Sequence, residues 1–179
     1  MISFRKLRAD EIQVRVAQVS EKYTQLLLYK DARCDMNILD ETVGAGNWQD
    51  SYETIKDNLY CKIGIWNDEL KQWVWKQDCG IESKENDGNE KKGEASDAFK
   101  RAGFRWGIGR ELYTSPKIAV LNDAIGGVKS REYQGKTYFN LNKPYQAFSV
   151  SHIEYDEKGN ITKLEIIDSK KVVVWSNIH

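Results

Sequence analysis

No stretch of this 179-residue sequence stays apolar for the roughly 18 positions that a membrane-spanning helix needs. The opening residues, Met1-Ile2-Ser3-Phe4-Arg5-Lys6, lack the apolar core and small-residue cleavage site of a secretory signal, so a cytoplasmic location is expected. Cysteine is scarce: Cys34, Cys61 and Cys79 stand 27 and 18 positions apart. An odd number at that spacing fits neither a disulfide framework nor a zinc site and predicts reduced, structural thiols. His152 and His179 are the only histidines, and neither lies near a cysteine. G-x-S-x-G, the phosphate-binding P-loop and H-E-x-x-H are all missing. Gly107-Ile108-Gly109-Arg110 is not a dinucleotide fingerprint, because it closes a helix rather than joining a strand to one. Acidic pairs such as Asp40/Glu41 and Asp156/Glu157 read as solvated carboxylates. No catalytic residue, metal or cofactor is therefore expected.

Net charge is also lacking, with 27 basic against 27 acidic side chains. The charges are unevenly spread. Residues 31–90 hold 6 basic and 14 acidic groups, whereas residues 91–117 hold 7 basic groups and only 3 acidic ones. Such a segment attracts a polyanion locally while the whole chain stays neutral. Hydrophobic residues at 40% and charged ones at 30% describe a globular chain with a real core.

Element signals run through the chain without repeats. Asp10 is placed to cap a helix bearing Ile12, Val16 and Val19, but Ile12, Val14 and Val16 also alternate, which leaves a strand open. Leu26–Tyr29 reads as a buried strand. Residues 32–42 read as a helix with Met36, Leu39 and Val43 inward, stopped by Gly44 and Gly46. Three strands follow, over 48–55, 59–66 and 72–81, the last placing Trp73, Trp75 and Gln77 on one face and Val74, Lys76 and Asp78 on the other. Residues 82–93 are a polar loop or a mobile approach to a helix. From Ala95 to Trp106 a helix is expected, its inward stripe made of Ala95, Ala98, Phe99, Ala102 and Trp106. Lys100, Arg101 and Phe104 fall on the far side, with Arg105 at the margin. A hairpin over 147–167 and a strand over 171–175 complete a β-rich tail. Strands followed by a helix predict an α+β fold, an antiparallel sheet with helices on one face.

A phenylalanine between cations on an outward helix face has two accounts. Phe104 stacks on an unpaired base while the cations hold the backbone, or it packs against the tail or a neighbouring subunit. Six tryptophans point to core or subunit contacts.

The segment Lys92-Gly93-Glu94-Ala95-Ser96-Asp97-Ala98-Phe99-Lys100-Arg101-Ala102-Gly103-Phe104-Arg105-Trp106-Gly107-Ile108-Gly109-Arg110-Glu111-Leu112-Tyr113 resembles the signature helix of the Rad-fifty-two-type single-strand annealing proteins, particularly their bacteriophage and prophage members. Val43-Gly44-Ala45-Gly46-Asn47-Trp48-Gln49 resembles that family's glycine–tryptophan turn, and Leu28-Tyr29-Lys30-Asp31-Ala32-Arg33 is similar to the strand before its second helix. The resemblance spans residues 10–113 and implies a three-strand-and-helix (β-β-β-α) core assembled into an oligomeric ring. It also makes the first segment a helix. Residues 1–113 would then be the annealing domain, and 114–179 an extension packed on it.

By the same resemblance, Lys100 and Arg101 correspond to a DNA-contacting pair. The family's next basic position is Phe104 here, with Arg105 displaced by one. Arg15 matches a basic DNA contact in the family's first helix, and Gln25 stands where a lysine is expected just before the first strand, with Lys22 nearby. Arg110 completes the set of candidate DNA-binding residues. The function implied is ATP-independent binding and annealing of single-stranded DNA in recombination and repair, within a bacterial host cell. The partners implied are single-stranded DNA, further copies of the chain, and a host or phage single-strand binding protein. Two other readings remain: a metal-dependent nuclease using carboxylates of residues 31–90, and an interaction module whose Trp73/Trp75 face takes a partner strand.

Overall fold

The computed structural model describes residues 2–81 and 90–178 and is an α+β protein with mostly antiparallel sheets and two helices. Its contacts divide into two compact units, Met1–Lys6 with Lys30–Arg110, and Leu7–Tyr29 with Glu111–His179.

The first unit contains helix α1 (Ala32–Val43), strands β3 (Trp48–Ile55), β4 (Asn58–Asn67) and β5 (Gln72–Cys79), and helix α2 (Glu90–Trp106). Strands β1 (Gln13–Val19) and β2 (Tyr23–Tyr29) belong to the second unit. Asp31 starts α1 by accepting a hydrogen bond from the Cys34 amide at 2.8 Å, and Gly44 ends it at φ 86°. Strands β3, β4 and β5 form an antiparallel meander in the order of the sequence. Lys56 and Asp57, both at positive φ, make the two-residue turn between the first two of these strands. Helix α2 lies on β4 and β5, with Ala98, Phe99 and Ala102 fully buried against Cys61, Ile63 and Ile65. Phe99 meets Trp48 edge to face at 6.0 Å, and the Trp106 indole donates to the Ile63 carbonyl at 2.9 Å. Of the expected inward stripe, Ala98, Phe99 and Ala102 are fully buried, and Ala95 and Trp106 are half-buried. The polar segment expected over 82–93 lies outside the described residues as far as 89, and from Glu90 the backbone is helical. In α1 the buried positions are Cys34, Asp35, Ile38 and Leu39, rather than Met36 and Val43, which are half-buried.

One buried ion pair lies inside this unit. Lys30 Nζ donates to both carboxylate oxygens of Asp35, and the two residues are 2% and 0% exposed. Burial is the largest influence on both groups. It pushes the Asp35 carboxyl up to about 6 and lowers the Lys30 ammonium below its ordinary value, each against the pull of its partner. Two glycines give the pair its room. A Cβ on Gly103 would land well inside van der Waals contact with Asp35 Oδ2, and one on Gly109, at φ 74°, would collide with the Lys30 side chain. An ordinary helical Gly→Ala change stabilises by up to about 1 kcal/mol. Gly103→Ala should instead destabilise by about 1–3 kcal/mol, as overpacking does. A denaturant titration showing equal or higher stability would remove the steric account of this glycine.

The second unit is built on a six-stranded sheet. Its strands are β1 (Gln13–Val19), β2 (Tyr23–Tyr29), β6 (Ile118–Leu121), β9 (Phe148–Tyr155), β10 (Ile161–Asp168) and β11 (Val173–Ser176). Their order is β11-β10-β9-β1-β2-β6, every neighbouring pair antiparallel. A separate two-stranded ribbon, β7 (Val128–Tyr133) with β8 (Lys136–Leu141), completes it. Leu26, Ile118, Val120, Leu164 and Ile166 form much of the core. The buried Thr24 hydroxyl donates to Asn122 Oδ1 at 2.8 Å, and the Asn122 amide donates to the Ser20 and Glu21 carbonyls, so this polar cluster is well satisfied.

The structure corrects two expectations here. The first segment is not a helix: after a single 3-10 turn over Ala9–Glu11, capped at Arg8 and not at Asp10, residues 13–19 form a strand. The alternation of Val14 and Val16 decides this, because those side chains share a sheet face with their partners Leu28 and Leu26. Nor do the contacts divide at residue 113. β1 and β2 pair with strands of the tail, so residues 114–179 complete a sheet begun near the N-terminus. Among the described residues no helix is long and apolar enough to cross a membrane.

Candidate nucleic-acid interface

Five of the seven candidate DNA-binding residues, Lys100, Arg101, Phe104, Arg105 and Arg110, lie in the first unit, and Arg15 and Lys22 lie in the second. In the first unit the candidates gather around the C-terminal half of α2. Asp78, on the strand face that α2 covers, receives two guanidinium groups. Arg105 Nε donates to Oδ2 at 3.0 Å, and Arg101 Nη2 lies 3.6 Å from Oδ1. Lys100 stands 3.8 Å from Asp97 one helical turn back, too far for a strong hydrogen bond. The Arg101 Nε is buried and has no hydrogen-bond partner among the described residues.

Two further cations close the helix end. Arg110 donates from Nε to the Phe104 carbonyl at 2.7 Å and from Nη2 to the Arg105 carbonyl at 2.8 Å. Lys76 donates to that same Arg105 carbonyl at 3.1 Å and sits 4.5 Å from the centre of the Trp106 ring. These carbonyls are the unpaired acceptors that every helix leaves at its C-terminus, where the dipole favours positive charge. Arg110 therefore has a structural task as a cap. Five cations against Asp78 and Asp97 leave this region at +3, so the ion pairs reduce its positive charge without cancelling it.

Phe104 packs beside a buried charge of the first unit. It is half-buried, with the Lys30 ammonium 4.3 Å from its ring centre and Gly109 beside its edge. The buried cation occupies one face of this ring. A helical wheel alone does not show this, because Lys30 precedes Phe104 by 74 positions.

In the second unit, Arg15 is exposed on the outer face of the sheet, its guanidinium 5.9 Å from the Tyr29 ring. Lys22 is 5.5 Å from the ring of Tyr23. Beside that tyrosine is a cleft of about 380 Å³, lined by Gln18, Ser20, Tyr23, Gln25, Lys117 and Ala119. Gln25 thus shares its cleft with the cation Lys117. Sequence spacing concealed that neighbourhood, which arises from the pairing of β2 with β6.

The remaining chemistry is sparse. The cysteines form no disulfide, and burial pushes the Cys61 thiol up to about 12, which keeps it protonated and inert at neutral pH. Among the described residues no three His, Cys, Asp or Glu side chains come together as a cation site would need. No family model, curated protein or solved structure matches the chain.

Proposed function

We propose that this protein binds single-stranded DNA along α2 and anneals complementary strands without nucleotide hydrolysis. The observation that carries this reading is the sharing of the single carboxylate of Asp78 by two guanidinium groups, with Lys100 beside them. One acid held between two arginines positions both groups and still leaves a positive charge to attract phosphate. The motif resemblance across residues 92–113 points the same way. Lys100, Arg101 and Arg105 are the groups assigned to the backbone, and Phe104 is assigned to support beneath them.

Annealing follows from what such contacts do not do. Cations on phosphate carry no sequence information, so base edges stay available to a second strand. A repeated +3 region around a self-associated ring would extend a weak local attraction into a continuous track. The setting proposed is recombination and repair in a bacterial host, with a host or phage single-strand binding protein alongside. Complementary oligonucleotides mixed with the protein and no nucleotide should anneal faster than without it, and Lys100→Ala with Arg101→Ala should weaken single-strand binding several-fold. Unchanged affinity at low salt would reject the assignment. Sedimentation showing only monomer, with and without DNA, would reject the ring.

A second reading draws on the sheet face turned away from α2. There Trp66 and Trp73 meet at 5.6 Å, and Trp75, which is 43% exposed, lies over the side-chain-free backbone of Gly64. An interaction module using that face predicts no DNA affinity at all, so the same titration separates the two.

A further inference from the structure

The ribbon β7–β8 has two unlike sides. Its strands are joined by Gln134 and Gly135 at φ 51° and 72°, a tight turn whose twist matches the strands it connects. Side chains alternate across a strand, so each cross-strand pair lies wholly on one side or the other. On one side lie Val128/Leu141, Ser130/Phe139 and Glu132/Thr137, where Leu141 is buried and Val128 and Phe139 are half-buried. On the other lie Lys129/Asn140, Arg131/Tyr138 and Tyr133/Lys136, all six exposed. The second side carries three cations and no carboxylate. The only acid of the ribbon, Glu132, faces the opposite way.

Each rung of the second side offers one cation and, directly across the ladder, one planar group: the Asn140 amide, the Tyr138 ring or the Tyr133 ring. Successive rungs are two residues apart, about 7 Å along the strand. Among the described residues no carboxylate forms an ion pair with Lys129, Arg131 or Lys136. Tyr133 and Tyr138 are 54% and 48% exposed, and the Arg131 guanidinium lies 5.7 Å from the Tyr133 ring centre. Three unneutralised cations interleaved with two open aromatic rings form a surface for a flexible polyanion with flat hydrophobic faces.

We propose that this side of the ribbon is a second binding site for single-stranded nucleic acid, separate from α2, with Lys129, Arg131 and Lys136 holding phosphates and Tyr133 and Tyr138 stacking on bases. A duplex offers phosphates but keeps its base faces covered, which would leave both rings without a partner. An acidic peptide would need the cations and not the rings. The ligand class rests on the single-strand reading above, whereas the site rests on none of the α2 residues.

The test uses the full chain, labelled oligothymidine and a duplex of equal length, each titrated by fluorescence anisotropy. Tyr133→Ala with Tyr138→Ala should weaken oligothymidine binding by tenfold or more, since each stacked base contributes a factor on the order of ten. Duplex binding should change much less. Lys129→Ala, Arg131→Ala and Lys136→Ala combined should reduce the slope of log affinity against log salt by about 2, at roughly 0.7 per phosphate contact. All five side chains are exposed, and unchanged thermal unfolding of the variants would confirm intact folds. Wild-type binding with both ribbon variants unaffected overturns the ribbon site alone. Equal losses on oligothymidine and duplex overturn the stacking role. Absence of wild-type binding overturns the single-strand reading together with this site.

Discussion

Replacing Asp35 with asparagine is expected to cost the fold about 3–5 kcal/mol, because it leaves the Lys30 ammonium buried without its counter-charge. For a chain of this size that is a fall in melting temperature of roughly 6–20 °C. The pair is tightly enclosed: Gly103 stands against Asp35, Gly109 against Lys30, and the Phe104 ring centre lies 4.3 Å from the ammonium. The loss should depend on pH with a definite sign. Burial already lowers the Lys30 pKa, and Asp35 is its main opposing influence. Without that carboxylate the folded state binds fewer protons than the unfolded one, so the variant gains stability as pH rises from neutral toward the ordinary lysine value of 10.5. Chemical denaturation across that range checks it, and a deficit that widens with pH would contradict the buried-cation account. Replacing both partners, Lys30→Met with Asp35→Leu, should recover most of the loss. The pair also seats Phe104 and therefore the end of α2, so the single variant should lose DNA binding only where it loses fold.

The second large effect concerns salt. Removing Lys100, Arg101 and Arg105 together should lower the salt slope of single-strand binding by about 2, from three contacts at roughly 0.7 each. Over a fourfold rise in salt, wild-type affinity would then fall roughly twentyfold more than that of the triple variant. Asp78→Asn should act in the opposite direction. It frees both guanidinium groups from their shared carboxylate, so affinity at low salt should rise and the slope should steepen. Parallel salt dependence in all three proteins would mean that these side chains serve only the internal ion pairs seen in the structure.

The first unit was largely readable from sequence; in the second, the strand at Leu26–Tyr29, the hairpin over 147–167 and the strand near 171–175 were legible, whereas β6, the ribbon and the joining of β1 and β2 to the tail were not. The spacing of Ala98, Phe99, Ala102 and Trp106 marked a helix face, and the glycines after Trp106 marked its end. The alternation through 72–79 assigned Trp73 and Trp75 to one face and Lys76 and Asp78 to the other, as observed. The ribbon carries a much weaker signal: Lys129 to Glu132 are four successive polar residues, and its Gln134-Gly135 turn is neither Asn-Gly nor Asp-Gly. Four-residue β6 is too short to show any period. The conflict at residues 10–19 was resolved against the helix by β2, whose Leu26 and Leu28 need Val16 and Val14 as same-face neighbours.

Local periodicity, turn chemistry and capping residues act over a few positions, so the sequence by itself determined the kind of each strong element and the basic character of the segment near residue 100. Only the tertiary structure decided that β1 and β2 join the tail strands, that Lys30 lies beneath Phe104, and that Asp78 stands between two arginines. Those outcomes depend on which distant strand edges meet and which buried charge finds a partner. Both are settled by burying apolar faces together and by the cost of leaving a charge unpaired, and neither is written in any short run of residues.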